Sequence, residues 1–440
     1  MNIPTTQAAA LPQTDAAARA GATFDPFDLT DPFPFYRRAR AEAPIVYSSK
    51  VDSWVFFRYE EIKAIFNDWK AFSSENAQSP FWPLAEETQR ILREGGFEGR
   101  SGLSARIPPE HTRLRTIVQG ALGPRRFKAI EPQIRDIMNR AIDTFAGDGE
   151  GDLIRDFAYD VPALVIFCLL GIPPEEAPHV KAWSESRALL TWGNLTPEQQ
   201  MPHAHNMVRY WNYCRELVAR RHKKATDDLP GDLVRLQQDG ADISDHEIAS
   251  ICYSQLFAGQ ETTTSLIGNG LRELLLHPDQ WKAVIEDKSL VPNALDEILR
   301  FTPSIVAWRR RVNSATSIGG VTLPEKANLL LLLGSGNRDE AVFEEPDRFD
   351  VRRKNARGHL SLGYGIHYCL GAQLAKLQMA IVLETIPKRL AALRLKKHQS
   401  FTFIPNASFR TPRALRVEWN RAATGTSPGV SLGEKSTRKV

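Results

Sequence analysis

Cysteine is scarce in this chain: four residues in 440, at Cys168, Cys214, Cys252 and Cys369, with no C-x-x-C pair. That excludes a disulfide scaffold and a structural zinc site, and it fits a reducing compartment. Long apolar runs are missing too. The longest, Val161–Ile172, holds 12 residues and is broken by Pro162 and Gly171; a bilayer span needs about 20. Met1–Thr23 has neither the basic stretch nor the apolar core of a signal peptide, so the expected location is cytoplasmic. An excess of one charge sign is also absent. Fifty-six Lys+Arg against 52 Asp+Glu leave +4, too little to suggest a nucleic-acid binder. The one dense basic run, Arg220–Lys224, falls where a helix should end and complements its dipole. No repeat of 20 to 50 residues is found, which excludes a solenoid. His203 and His205 are two apart and share no helix face, so they are not read as metal ligands.

What is present is helical periodicity. The spacing predicts helices over 34–41, 60–67, 109–122, 132–146, 203–224, 244–276, 292–301 and 371–386. Strand-like stretches are fewer, at 45–47, 53–59, within 320–332 and within 401–419. The expectation is a mainly α single domain with small β-sheets over residues 24–420. Residues 1–23 and the polar tail 421–440 are expected to be disordered.

One helix stands out. Ser244 and Glu247 form an S-x-x-E capping box, and the apolar pattern runs on until Pro278. Such a helix must cross the whole body of the protein. Its centre reads A-G-Q-E-T-T (258–263), a poor composition for a buried helix, since glycine costs about 1 kcal/mol there and threonine hydroxyls compete for the backbone. A local rule broken at mid-helix marks a functional position.

The sharpest segment is HLSLGYGIHYCLGAQLAK, His359–Lys376. Gly363 and Gly365 permit a tight loop, Gly371 permits a flat group to approach, and Cys369 sits just before a helix start. Exposed N–H groups at that start favour an anion, so the thiol pKa is expected to fall toward thiolate, a soft ligand for iron.

The pattern G-x-G-x-H-x-C-x-G resembles the heme-binding loop of the cytochrome P-450 family. The resemblance spans residues 24–419 and implies heme b, held by Cys369 as axial ligand to the iron, in the P-450 fold with a long central helix over the heme. It implies that Thr262 and Glu261 form the acid–alcohol pair that manages protons for dioxygen chemistry, with Ala258 and Gly259 facing the heme. His111 and Arg115, in P-P-E-H-x-x-x-R, together with His367 and one arginine of Arg309–Arg311, are the implied propionate contacts; the family's spacing from Gly320 selects Arg310. Gly371 completes the cofactor-binding set. Glu297 and Arg300 resemble the structural Glu–Arg–Arg motif, its third member being Arg348, Arg352 or Arg353.

IVAWRR (305–310), TWG (191–193) and FIPNASFR (403–410) are similar to the heme module of the self-sufficient branch that oxidises thiocarbamates and aryl ethers. One departure is Leu362, where most members carry phenylalanine. That branch continues into a fused flavin and iron–sulfur reductase. Here no such segment precedes Val440, so electrons are expected from a separate ferredoxin and ferredoxin reductase, docking near Arg113, Arg125, Arg126 and Lys376. The expected function is hydroxylation or O-dealkylation, by one atom of dioxygen, of a small apolar substrate, with aromatic compounds among the candidates. Candidate pocket residues are Ser79–Leu84, Ala258, Ile305, Val306 and Ser408. The rivals are a peroxide-driven enzyme of the same fold and a heme sensor or carrier without a reaction.

Overall fold

The computed structural model describes residues 14–99 and 102–421. Helix α1, Asp15–Thr23, corrects the expectation of a disordered N-terminus. Thr14 caps it by accepting the Ala17 N–H at 3.2 Å. Gly21 lets it lie on the first strand, where a Cβ would meet the Tyr47 carbonyl oxygen at 2.1 Å. Its alanine-rich sequence carries no large apolar stripe, so only the tertiary surface beneath it reveals the helix. The expectations for residues 1–13 and 422–440 lie outside the described residues.

Strands β1 (Ile45–Ser48), β2 (Ser53–Phe56) and β3 (Phe72–Ser73) belong to a five-stranded sheet with two late strands, β5 (Trp308–Val312) and β6 (Asn328–Leu331). The order is β1-β2-β6-β5-β3. β2 runs parallel to β6, with Trp54 opposite Leu329. β5 is antiparallel to β6, which pairs Arg310 with Leu329 and fixes which way each of the three arginines points. A second sheet is built from β4 (Glu150–Asp152), β7 (Ala391–Leu395) and β8 (Arg416–Asn420).

The helices that place the site are α2 (Glu110–Ala121), α3 (Pro124–Asp143), α4 (Val161–Leu170), α5 (Ala177–Trp192), α6 (Pro197–Lys223), α7 (Asp245–Leu276), α8 (Val291–Phe301) and α9 (Ala372–Arg389). Two begin earlier than the pattern predicts. Pro132 and Pro202 were natural starting points, yet both lie inside their helices. The actual starts are Pro124 after Gly123, and Pro197 inside a Thr196/Gln199 capping box. Helices α4 and α5 escape the periodicity for another reason. α4 is apolar nearly all round and α5 mixes small and polar residues on its buried face, so neither shows a clean stripe.

Helix α7 has 32 residues and the Ser244/Glu247 capping box read from the sequence. It packs against α4, α5, α6, α8 and α9. Its side chains are buried on both sides of one break. Ala258, halfway along, is exposed. A methyl group open to space in the centre of a buried helix marks a cavity on that face.

Candidate active site

The cysteine loop folds as the glycines require. Gly363 and Gly365 have φ of 72° and 66°. At Gly365 a Cβ would also press on the Phe66 carbonyl oxygen at 2.8 Å. The Cys369 N–H donates to the Leu362 carbonyl at 2.8 Å, which closes the loop on the residue that departs from the family pattern. Helix α9 starts three residues later, and a Cβ on Gly371 would lie 4.0 Å from the Cys369 sulfur with no closer neighbour. The flat approach expected at Gly371 is therefore open.

One expectation here needs correction. Burial pushes the Cys369 thiol up; the Gly371 N–H and Arg115 draw it down, in the expected direction, but less. The helix start alone therefore does not make this thiol a thiolate, whereas a coordinating metal would remove its proton.

Three elements bring nitrogen-bearing side chains to one place. His111, in the first turn of α2, is 1% exposed and neither ring nitrogen has a hydrogen-bond partner. Its ring centroid lies 4.2 Å from that of His367 in the cysteine loop. Arg115, one turn on, donates to the Tyr368 carbonyl at 2.7 Å. From β5, Arg310 is 2% exposed, lies over the Phe66 ring and donates to the Arg309 carbonyl at 2.8 Å. No carboxylate lies within 4.0 Å of Arg310, His111 or His367 among the described residues.

The electrostatics register the crowding. Burial pushes His367 down to about 2, helped by Arg310, His111 and Arg115. Burial and Arg115 bring His111 down to about 4, and burial alone brings Arg310 down to about 9. Of the three adjacent arginines it is Arg310 that bears on His367. Buried donors with no anion among them are costly unless a ligand supplies the charge. A planar group with two carboxylates and an iron for the single thiolate, which heme b is, fits this donor set.

Across the cavity, the α7 centre divides its work differently from expectation. Gly259 does not clear space above a cofactor. A Cβ there would strike Ile166 of α4 at 2.4 Å, so the glycine permits two helices to approach. The cavity face belongs to Ala258. Thr262 donates its hydroxyl to the Ala258 carbonyl at 2.5 Å, and Ser265 donates to the Glu261 carbonyl at 2.8 Å. Burial pushes the Glu261 carboxyl up to about 7; the Glu185 carboxylate adds to this and Lys181 opposes it. These two α5 residues were missed from sequence. Their i, i+4 spacing was visible, but the helix carrying it was not. Lys181 donates to the Tyr159 carbonyl at 3.1 Å and pairs with Asp160, whose side chain is 60% exposed. Tyr159 donates its hydroxyl to Glu185. A polar ladder thus joins the surface to the neighbourhood of Glu261.

An aromatic cluster packs around Phe257, the residue before Ala258. Phe81 meets Trp82 edge-on at 5.2 Å and Trp192 at 5.7 Å, while Phe257 meets Phe409 at 5.6 Å. Ala307 packs into the same cluster, and Trp82, Ile305 and Trp308 line its border. The Val306 backbone and the Ser408 hydroxyl also tie the two segments together. Val306 donates its N–H to the Ser408 carbonyl at 2.8 Å, and the fully buried Ser408 hydroxyl is spent on the Ala307 carbonyl at 2.7 Å.

The Glu–Arg–Arg motif is complete. Arg300 grips Glu297 with bonds of 2.7 and 2.9 Å, and the third member is Arg353, at 3.2 Å from the same carboxylate. On the cysteine side, Arg113 pairs with Glu247, Arg126 with Asp232 and Lys376 with Asp296. Of the four basic residues expected to meet a partner, Arg125 alone is exposed and without an ion pair among the described residues.

Fold and site together point to a heme protein, and comparison with known proteins places it. The cytochrome P450 family model matches residues 192–399. The 6-deoxyerythronolide B hydroxylase of Saccharopolyspora erythraea is 34% identical over 371 residues, 82% of this chain and 89% of that one. Cytochrome P450 CREJ in complex with (4-ethylphenyl) dihydrogen phosphate superposes with a TM-score of 0.88 at 49% identity, over 91% of this chain and 100% of that one. An intact type IV self-sufficient cytochrome P450 monooxygenase superposes with a TM-score of 0.88 at 33% identity, over 94% of this chain and 56% of that one. The chain belongs to the cytochrome P450 family. It is a heme b monooxygenase, and among the described residues no helix is long and apolar enough to cross a membrane.

Proposed function

We propose that this monooxygenase hydroxylates or O-dealkylates a small aromatic substrate, with electrons delivered by a separate ferredoxin and its reductase. When bound, the heme supplies the iron at which dioxygen is activated. Cys369 would hold that iron. His111, Arg115, Arg310 and His367 would bind the two propionates, with Gly371 leaving room beside the sulfur. Ala258 offers only a methyl group toward the cavity and so leaves space for dioxygen and a substrate carbon.

Thr262 and Glu261 would handle protons. The Thr262 hydroxyl is tethered to a backbone carbonyl, which fixes its oxygen as an acceptor facing the cavity. Glu261, near half-protonation at neutral pH, can both receive and give a proton. Lys181, Glu185 and Asp160 continue the route to solvent. The aromatic wall excludes water and receives a ring by edge-on contact. The ligand of the CREJ complex, an alkyl-substituted arene, supports this choice.

The carrying observation is the placement of a carboxyl raised to about 7 one helical turn from the exposed methyl at the centre of a buried helix. The test compares turnover of 4-alkylated arenes on dioxygen with ferredoxin and reductase against turnover on peroxide. Dioxygen-driven turnover that collapses in Glu261→Gln, while peroxide-driven turnover survives, supports the reading. Peroxide-only activity in the unaltered protein refutes it.

A further inference from the structure

A second arginine of the β5 triplet has no part in the propionate site. Neighbours along a strand face opposite ways, so Arg309 points away from Arg310 and toward the substrate wall. It is 7% exposed. Its guanidinium lies 5.3 Å from the Phe81 ring centroid and 5.8 Å from that of Trp192. Its hydrogen bonds run to neutral groups, the Ser79 carbonyl at 2.9 Å and the Pro80 carbonyl at 3.4 Å, and its Nε has no partner. No carboxylate lies within 4.0 Å of it among the described residues. Burial, with Arg311 as a second cause, pulls it down to about 10, so it is still charged at neutral pH.

A second buried cation approaches the same segment from the other side. Arg187 of α5 is 3% exposed, reaches Gln78 Oε1 at 3.5 Å, and lies over the Phe257 ring at 4.7 Å. Phe257 immediately precedes Ala258. Two guanidinium groups therefore converge on residues 78–80, at the border of the aromatic chamber. Arg309, a buried charge whose hydrogen bonds run to carbonyl oxygens, is expensive to hold, and an anionic ligand group offsets that cost through charge-assisted bonds.

We propose that the substrate is an arene bearing an anionic group, such as a phosphate ester, whose head seats at Arg309 with Arg187 beside it while its alkyl end extends toward Ala258. This rests on the reading of the cavity as an oxygenation site for a small aromatic substrate. To the phosphate-bearing arene held in the CREJ complex it adds the residue that would select such a head here.

The test uses the heme-loaded full chain, with 4-ethylphenyl phosphate, 4-ethylphenol and inorganic phosphate as probes. Binding is followed by the substrate-induced heme spectral shift and by calorimetry. The expected result is that the ester binds at least about 10-fold more tightly than the phenol at low salt and loses that advantage as salt rises. Arg309→Met should weaken the ester about 10-fold or more and the phenol less than about 2-fold, with Arg309→Lys between. Inorganic phosphate alone should bind weakly, because it lacks the ring. Equal affinities for ester and phenol in the unaltered protein would overturn the proposal. So would an equal loss of both ligands in Arg309→Met, which would make Arg309 a clamp for the loop. If Arg309→Met does not fold, Arg309→Lys and the salt series on the unaltered chain decide. Oxygenation of the neutral phenol by the unaltered protein reports separately on the underlying reading of the site.

Discussion

A Cβ on Gly259 would fall 2.4 Å from Cδ1 of Ile166, on the helix that crosses against α7. The glycine in the motif is there for helix contact, and the alanine before it for the cavity. Gly259→Ala should destabilise the protein by about 1–3 kcal/mol through overpacking. Ile166→Ala in the same chain should relieve most of that penalty. Denaturant unfolding of the four-member cycle checks it, and additive effects would show that the two residues do not touch.

Arg310 and His111 should be worth more to the heme-loaded protein than to the chain alone. Arg310→Met removes a buried cation that has no carboxylate of its own within reach. Heme transfer to an acceptor protein should then speed up at least about 10-fold, as expected for loss of a buried charge-assisted bond. The heme-free chain should lose no thermal stability. A heme-free chain weakened as much as the holoprotein would contradict the assignment.

Glu261 carries the pH dependence. Its carboxyl sits near 7, above its ordinary 4.5, so the folded state holds the proton more tightly than the unfolded chain does. The associated stability is full below about pH 4.5 and is lost as pH rises to about 7. Glu261→Gln should therefore gain stability relative to the parent above pH 7, and none at pH 4.5, in melts taken across that range. Dioxygen-driven kcat should fall about 10²-fold or more in this variant. The parent's decline through pH 7 should vanish from what remains.

Glu297 is fully buried between two arginines and also accepts the Asp350 N–H at 3.0 Å. Removing the carboxylate strands both cations, so Glu297→Ala should cost about 3–5 kcal/mol. Purified holoprotein yield and unfolding midpoint measure this. A loss no larger than that of a surface ion pair would argue that the triad is solvated.

The cysteine loop and the central helix were legible because each rests on local rules: positive-φ glycines at 363 and 365, a capping box at Ser244, an apolar stripe ended by Pro278. The same kind of rule misled at Pro132 and Pro202, where tertiary packing holds a proline inside a helix. Arg353 could not be separated from Arg348 and Arg352 by sequence, since only the path of the loop decides which reaches Glu297. The packing of Gly259 on Ile166 could not be read from sequence, because the two are more than ninety positions apart in the chain. Lys181 and Glu185 stayed hidden because α5 has no clean stripe, and α1 because its contact is made by a glycine and small alanines.

The central claim is that Cys369 holds the heme iron as a thiolate. The most direct measurement is the absorption spectrum of the reduced, carbon monoxide-bound protein, recorded beside Cys369→His. Thiolate ligation predicts a strongly red-shifted Soret band in the unaltered chain and its replacement in the variant by the band of a histidine-ligated heme. The same histidine-type band in both proteins would contradict the account.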